Sequence, residues 1–229
     1  MNRFLSLICV LALNLAVVSH CSAQVVPLVV DSTNSNLDLT LALANDQSPV
    51  SGTATVFLQN SFPPSGTAQL TALDLTLDDP LLFNLGLGLA GTTQANDVMV
   101  SLITPGAPGT ISGGTFDQLG NELSLSGLVT VSDALGLFTG TTGDTVIDLS
   151  TLTLGPTTDL TNITVSQTGN VVTIGGQFDI LQEDLGGFPI DLVGTGTFTA
   201  SGIVTAIPEP GSLVVLVGMA TALLTRRRR

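Results

Sequence analysis

Between residues 24 and 206 the chain alternates apolar and polar positions with a period of two, the pattern of strands that bury one face. Leu37, Leu39, Leu41 and Leu43 alternate with Asp38, Thr40, Ala42 and Ala44. Leu73, Leu75 and Leu77 alternate with Asp74, Thr76 and Asp78. Further strands are predicted near residues 53–58, 97–103, 122–131, 146–154, 162–166, 170–174, 177–181, 190–193 and 195–205. Glycine and proline punctuate these runs, in Pro63-Pro64-Ser65-Gly66, in residues 104–109 and in Ser112-Gly113-Gly114. Gln167-Thr168-Gly169-Asn170 separates two β-branched runs and predicts a hairpin. Residues 79–91 are leucine-rich, but Pro80, Gly86, Gly88 and Gly91 argue against a long helix there.

Short strands with such turns predict an all-β fold in one domain, residues 24–206: a single β-sandwich, most simply jelly-roll-like, or a barrel. A parallel β-solenoid is the alternative. Gly52-Thr53-Ala54, Gly66-Thr67-Ala68 and Gly196-Thr197-Phe198 each open a strand, but they keep no fixed period, which a solenoid requires.

The two ends of the chain follow other patterns. Arg3, the apolar stretch Phe4 to Val18 and the small residues after it compose a secretory signal peptide, residues 1–23. Signal peptidase is expected to cut between Ala23 and Gln24. In residues 207–229, Pro208-Glu209-Pro210 precede an apolar run, 211–225, and then Arg226, Arg227, Arg228 and Arg229. As a transmembrane helix the run would measure ~22 Å against a bilayer core of ~30 Å. Snorkelling arginines recover part of the difference and stay on the cytoplasmic side.

Motif, apolar helix and basic cluster, in that order, resemble the PEP-CTERM sorting tail of Gram-negative and related bacteria. The resemblance implies an exosortase-like membrane transpeptidase that recognises Pro208, Glu209 and Pro210 and removes the tail, while Arg226 to Arg229 fix the orientation. It implies export, a membrane-anchored intermediate, and a final place at the cell surface, in the outer envelope or outside the cell. It also implies an association with exopolysaccharide or biofilm. A permanently tail-anchored surface protein is the alternative.

Composition then narrows the chemistry. The five basic residues are Arg3 and the terminal four, and of 18 acidic residues only Glu209 lies outside the body. Cys9, His20 and Cys21 fall in the signal peptide, and the chain has no Trp or Tyr. The body therefore has no histidine or cysteine for a nucleophile system or a zinc site, and no lysine for a Schiff base or P-loop. Nucleic acid would be repelled, and no disulfide can form. A carboxylate pair for glycoside hydrolysis remains, without an indole or phenol to stack a sugar. Asp74, Asp78 and Asp79 are candidate calcium ligands, with Glu183 and Asp184 before Gly186-Gly187 as a second group. Otherwise the carboxylates are solvated turn and face residues that keep the sheet soluble.

Together these features predict a non-enzymatic, cofactor-free, structural or adhesive protein, with a tail-anchored ligand- or glycan-binding module as the alternative. A body with only negative charge must carry its repulsion unrelieved except by counterions. Added sodium chloride should therefore raise its melting temperature, by ~2–4 °C for each kcal/mol of repulsion screened. A thermal melt series in salt checks this, and a flat or falling series contradicts it.

Overall fold

The computed structural model describes residues 23–41, 44–61, 63–84, 92–136, 139–151, 158–182 and 191–204. They form one antiparallel sheet of twelve strands. The strands are β1 Gln24–Val30, β2 Asn36–Leu41, β3 Ala44–Ser61, β4 Pro64–Leu77, β5 Leu81–Asn84 and β6 Thr92–Thr104. After these come β7 Gly109–Thr110, β8 Thr115–Asp133, β9 Gly143–Asp148, β10 Thr158–Thr168, β11 Val171–Gln182 and β12 Leu192–Ile203. Apart from Ala23, the signal peptide read over residues 1–23 and the sorting tail read over 207–229 lie outside the described residues.

Strands that share a neighbour occupy one lane of the sheet. β1 and β2 lie in the same lane between β3 and β12, parted by the 3-10 turn Ser32–Asn34. β4 and β5 share a lane beside β6, and β6 and β7 share one beside β4. β9 and β10 share the lane beside β8. Each lane pairs with the next one along the chain, and β12 pairs back with β1 and β2. The hydrogen-bonded path thus returns to its start.

The all-β class is as the sequence predicts, and the pairing bears on two of the architectures it offered. Every pairing is antiparallel, whereas a solenoid of this kind needs parallel neighbours. Successive lanes are also adjacent, a meander without the long returns of a jelly roll's Greek keys. Alternation fixes which face a residue joins, but not which strand lies beside it.

Burial follows the alternation. Leu37, Leu39 and Leu41 of β2 are buried, as are Leu73 and Leu75 of β4, and the largest core side chains are Phe83, Phe116, Phe178 and Phe198. Two of these phenylalanines explain an error of the sequence reading. The pattern predicts two strands, 170–174 and 177–181, parted at Gly175-Gly176, yet β11 runs through without a break. Phe198 of β12 stands opposite Gly176, and Phe178 stands opposite Gly196. Each ring fills the space left by the facing glycine, the cross-strand device that rescues a strand glycine. A Cβ on Gly196 would stand 2.0 Å from Phe178 Cζ. Residues 190–193 and 195–205 likewise merge into one strand, β12.

The predicted hairpin is present, with Thr168 opposite Val171 and Gly169 at a φ of 61°. Of the leucine-rich stretch 79–91, Leu81–Asn84 is strand and residues 85–91 lie outside the described residues. The strand expected over 146–154 stops at Asp148, where its carboxylate accepts the Ser150 N–H at 2.9 Å and starts a 3-10 turn.

Gly196→Ala should cost ~1–3 kcal/mol, as overpacking against a ring generally does. Adding Phe178→Leu to that variant should recover part of the loss. Urea unfolding of the two variants reads both effects, and equal stability of Gly196→Ala and wild type would contradict the pairing argument.

Candidate functional site

Breaks in the lanes leave backbone N–H and C=O groups without ladder partners, and a buried orphan is costly. The gap between β6 and β7 opens beside Leu70 of β4. Gln118 of β8 fills it: its Oε1 accepts the Leu70 N–H at 2.6 Å, and its Nε2 donates to the Leu70 carbonyl at 2.9 Å. One side-chain amide thus supplies both hydrogen bonds that a paired strand residue would make. Nε2 also donates to Asn121 Oδ1 at 2.6 Å. Asn121 Nδ2 donates to the carbonyls of Gln118, at 2.7 Å, and of Thr158, at 3.1 Å. The Gly106 N–H donates to Asn121 Oδ1 at 2.8 Å. Both amide side chains are fully buried and neutral. The sequence does show a polar Gln118 two residues from the inward Phe116, but that pattern cannot name Leu70 as its partner.

On the outer face, carboxylates take the same part. Asp117 accepts the Asn162 N–H at 2.7 Å, and Asp159 accepts the Gly120 N–H at 2.9 Å. These two cross-links flank the register shifts between β8 and β10, where Asn162 adopts a φ of 55°. Asp46 accepts the Leu82 N–H at 2.7 Å, and the buried Asp133 accepts the Thr139 N–H at 2.9 Å. Several carboxylates that read as solvated face residues are therefore structural acceptors.

Asp31 caps the turn Ser32–Asn34. The Asn34 side-chain amide, and then the Thr33 N–H, hold its carboxyl below the usual carboxylate range. Ser150 does the same for Asp148, first through its hydroxyl and then through its N–H. A carboxyl lowered by folding stabilises the fold above its ordinary value, and that contribution is lost as the pH falls through the folded value. Both groups are exposed, so the effect is confined to acid and small.

Candidate ligand contacts converge on the outer face of β10–β12. A cleft of about 500 Å³ opens there over Gly175 and Gly176, rimmed by Asp159, Asn162, Thr164, Gln177, Asp179, Thr197 and Thr199. A second cleft, of about 420 Å³, lies beside the turn Ser32–Asn34 and shares Asn34 and Thr197 with the first. The rims offer hydroxyls, amides and two carboxylates, a set that suits the hydroxyl groups of a polyol. Asp159 and Asp179 are both exposed.

The calcium candidates are not brought together. Asp74 lies on the outer face within β4, opposite Thr53 and Ser101, while Asp78 and Asp79 lie beyond its end. The N–H groups of Asp78 and Asp79 donate to the Pro49 carbonyl and to Ser48 Oγ, which directs that segment toward β3. Four residues along a strand span ~13 Å, too far for Asp74 and Asp78 to share one cation. Among the described residues no three His, Cys, Asp or Glu side chains could hold a metal ion. Glu183 and Asp184 lie outside the described residues, as do Pro208, Glu209, Pro210 and Arg226 to Arg229. Ala23 precedes the sheet, and β1 begins at Gln24, so a cut between the two would leave every strand whole.

Comparison with protein-family models, curated proteins and solved structures finds no match. No helix among the described residues is long and apolar enough to cross a membrane.

Gln118→Leu should destabilise the protein by ~2–4 kcal/mol, because Leu70 and Asn121 lose partners inside the core. The Thr93 hydroxyl is buried with no hydrogen-bond partner among the described residues. Thr93→Val should therefore be neutral or stabilising by up to ~1 kcal/mol. Chemical denaturation of both variants gives the contrast, and a reversed order would refute it.

Proposed function

We propose that this chain is an exported, non-catalytic surface or matrix protein, sorted by an exosortase-like transpeptidase, whose body is a closed eight-lane barrel. The groove over β10–β12 is the observation that carries the reading, because it turns hydroxyls, amides and carboxylates outward and no cation. Such a surface can exchange hydrogen bonds with the hydroxyls of an exopolysaccharide. The closed barrel is supported by the return pairing of β12 with β1 and β2. Its outward positions are largely polar, Thr195, Thr197 and Thr199 on β12 for example, whereas a membrane barrel shows lipid an apolar band. Adhesion through a broad polar face asks for no general acid, nucleophile or metal.

A second reading, a glycan-binding module held permanently by its tail, is favoured by the same groove and differs in the fate of the C-terminus. Glu209→Ala should leave export intact while the tail stays attached. Intact-mass measurement on protein from the envelope and the medium checks this for both chains. A wild-type terminus near Pro208 with a retained tail in the variant supports sorting. Normal tail removal in the variant sinks the motif, and Arg229 retained in wild type selects the permanent anchor.

A further inference from the structure

The carboxylates are unevenly placed along the ring, and the uneven placement coincides with the chain's exit. β1 starts and β12 ends at the same end of the sheet, since Val29 faces Ser201 in antiparallel pairing. The meander brings the connections at 62–63, 111–114 and 169–170 to that end as well. None of them contains a charged residue. The nearest carboxylate is that of Asp117, two residues inside β8. Connections toward the opposite end carry Asp78, Asp79 and Asp191, Asp133 and Asp144 stand at or next to the strand ends there, and Asp46 lies two residues inside β3.

We propose that the neutral end of the ring is a lipid-facing surface, held against the bilayer with the acidic end turned outward. The proposal rests on the reading of residues 211–225 as a membrane segment. Gly211 lies seven residues beyond Val204, a reach of at most ~25 Å when fully extended. The 12 residues of β12 run ~40 Å along the strand, or ~30 Å in height at a barrel tilt of ~40°. The tether is too short to pass down the side of the barrel and bring the far end to the membrane.

Charge acts in the same direction. The body has no cation to offset its carboxylates, so anionic headgroups repel every surface that carries them. Only the end built from residues such as Pro64, Ser65, Ser112 and Gly169 can approach without that repulsion. Its rim adds apolar contact: Val25, Val171 and Ile203 are 59%, 38% and 61% exposed, and Val171 pairs directly with Ile203.

The test uses the full chain with Cys9→Ser and Cys21→Ser, inserted into vesicles of phosphatidylcholine and phosphatidylglycerol. Single cysteines at Ser65→Cys, Ser112→Cys and Leu135→Cys carry a fluorophore, and a nitroxide on the lipid headgroup quenches it. Dyes at residues 65 and 112 should be quenched several-fold more than the dye at 135, on the β8–β9 connection. Equal or reversed quenching in chains that float with the vesicles overturns the orientation and leaves the membrane segment standing. Failure to float overturns both the orientation and the membrane reading on which it rests. Ser65 and Ser112 lie on separate connections, so loss of folding in one variant leaves the other to decide.

Discussion

Side-chain oxygens that accept stranded backbone N–H groups hold the sheet together at three of the four breaks in its lanes. β1 stops before β2, β4 before β5, β6 before β7 and β9 before β10, and each break interrupts a ladder. At the first, Ser35 Oγ accepts the Thr199 N–H at 2.9 Å, and the Asp31 N–H reaches the Thr199 carbonyl at 2.8 Å. At the second, Asp46 and Ser48 take the N–H groups of Leu82 and Asp79. Gln118 and Asn121 bridge the third from within the core. Without these patches each break would expose unpaired edges, which invite pairing with another chain.

This use of carboxylates follows from the composition. A chain that places no lysine or arginine in its body cannot neutralise acids by ion pairing, so its carboxylates are solvated or accept from N–H and O–H donors. At the break beside Leu70 the same need is met inside the core by neutral amides, which avoid the desolvation cost of a buried charge. Asp133, by contrast, meets it with a buried carboxylate. The interior is left to leucine, valine and four large phenylalanines, and reciprocal ring-on-glycine contacts align β11 with β12.

Local features of this fold are legible in the sequence, and long-range ones are not. Alternation at Leu37, Leu39 and Leu41 identifies a strand and its buried face, and Gly169-Asn170 identifies a two-residue turn. Gly175-Gly176 misleads because the ring that covers Gly176 belongs to Phe198, more than twenty residues later. β1 goes unpredicted because Val25 and Val26 continue the apolar tone of the preceding segment, and its partners on β3 and β12 are distant. Asp74, Asp78 and Asp79 look clustered along the chain, but a strand's extension separates them. The groove over β10–β12 needs three strands in register, and no local pattern announces it.

The placement of β12 decides how the molecule bears force. It is the last strand among the described residues, so a pull on the chain beyond Val204 enters the body along its length. It is also clasped on both sides, by β11 through all 12 of its residues and by β2 and β1 on the other edge. Tension between that exit and anything gripping the opposite end would act parallel to the strand, loading many hydrogen bonds together in shear. Peeling would require a pull across the ladders, where bonds yield one at a time. If the proposed tail tethers the body at a surface, that tether would pull in the direction in which β12 is braced.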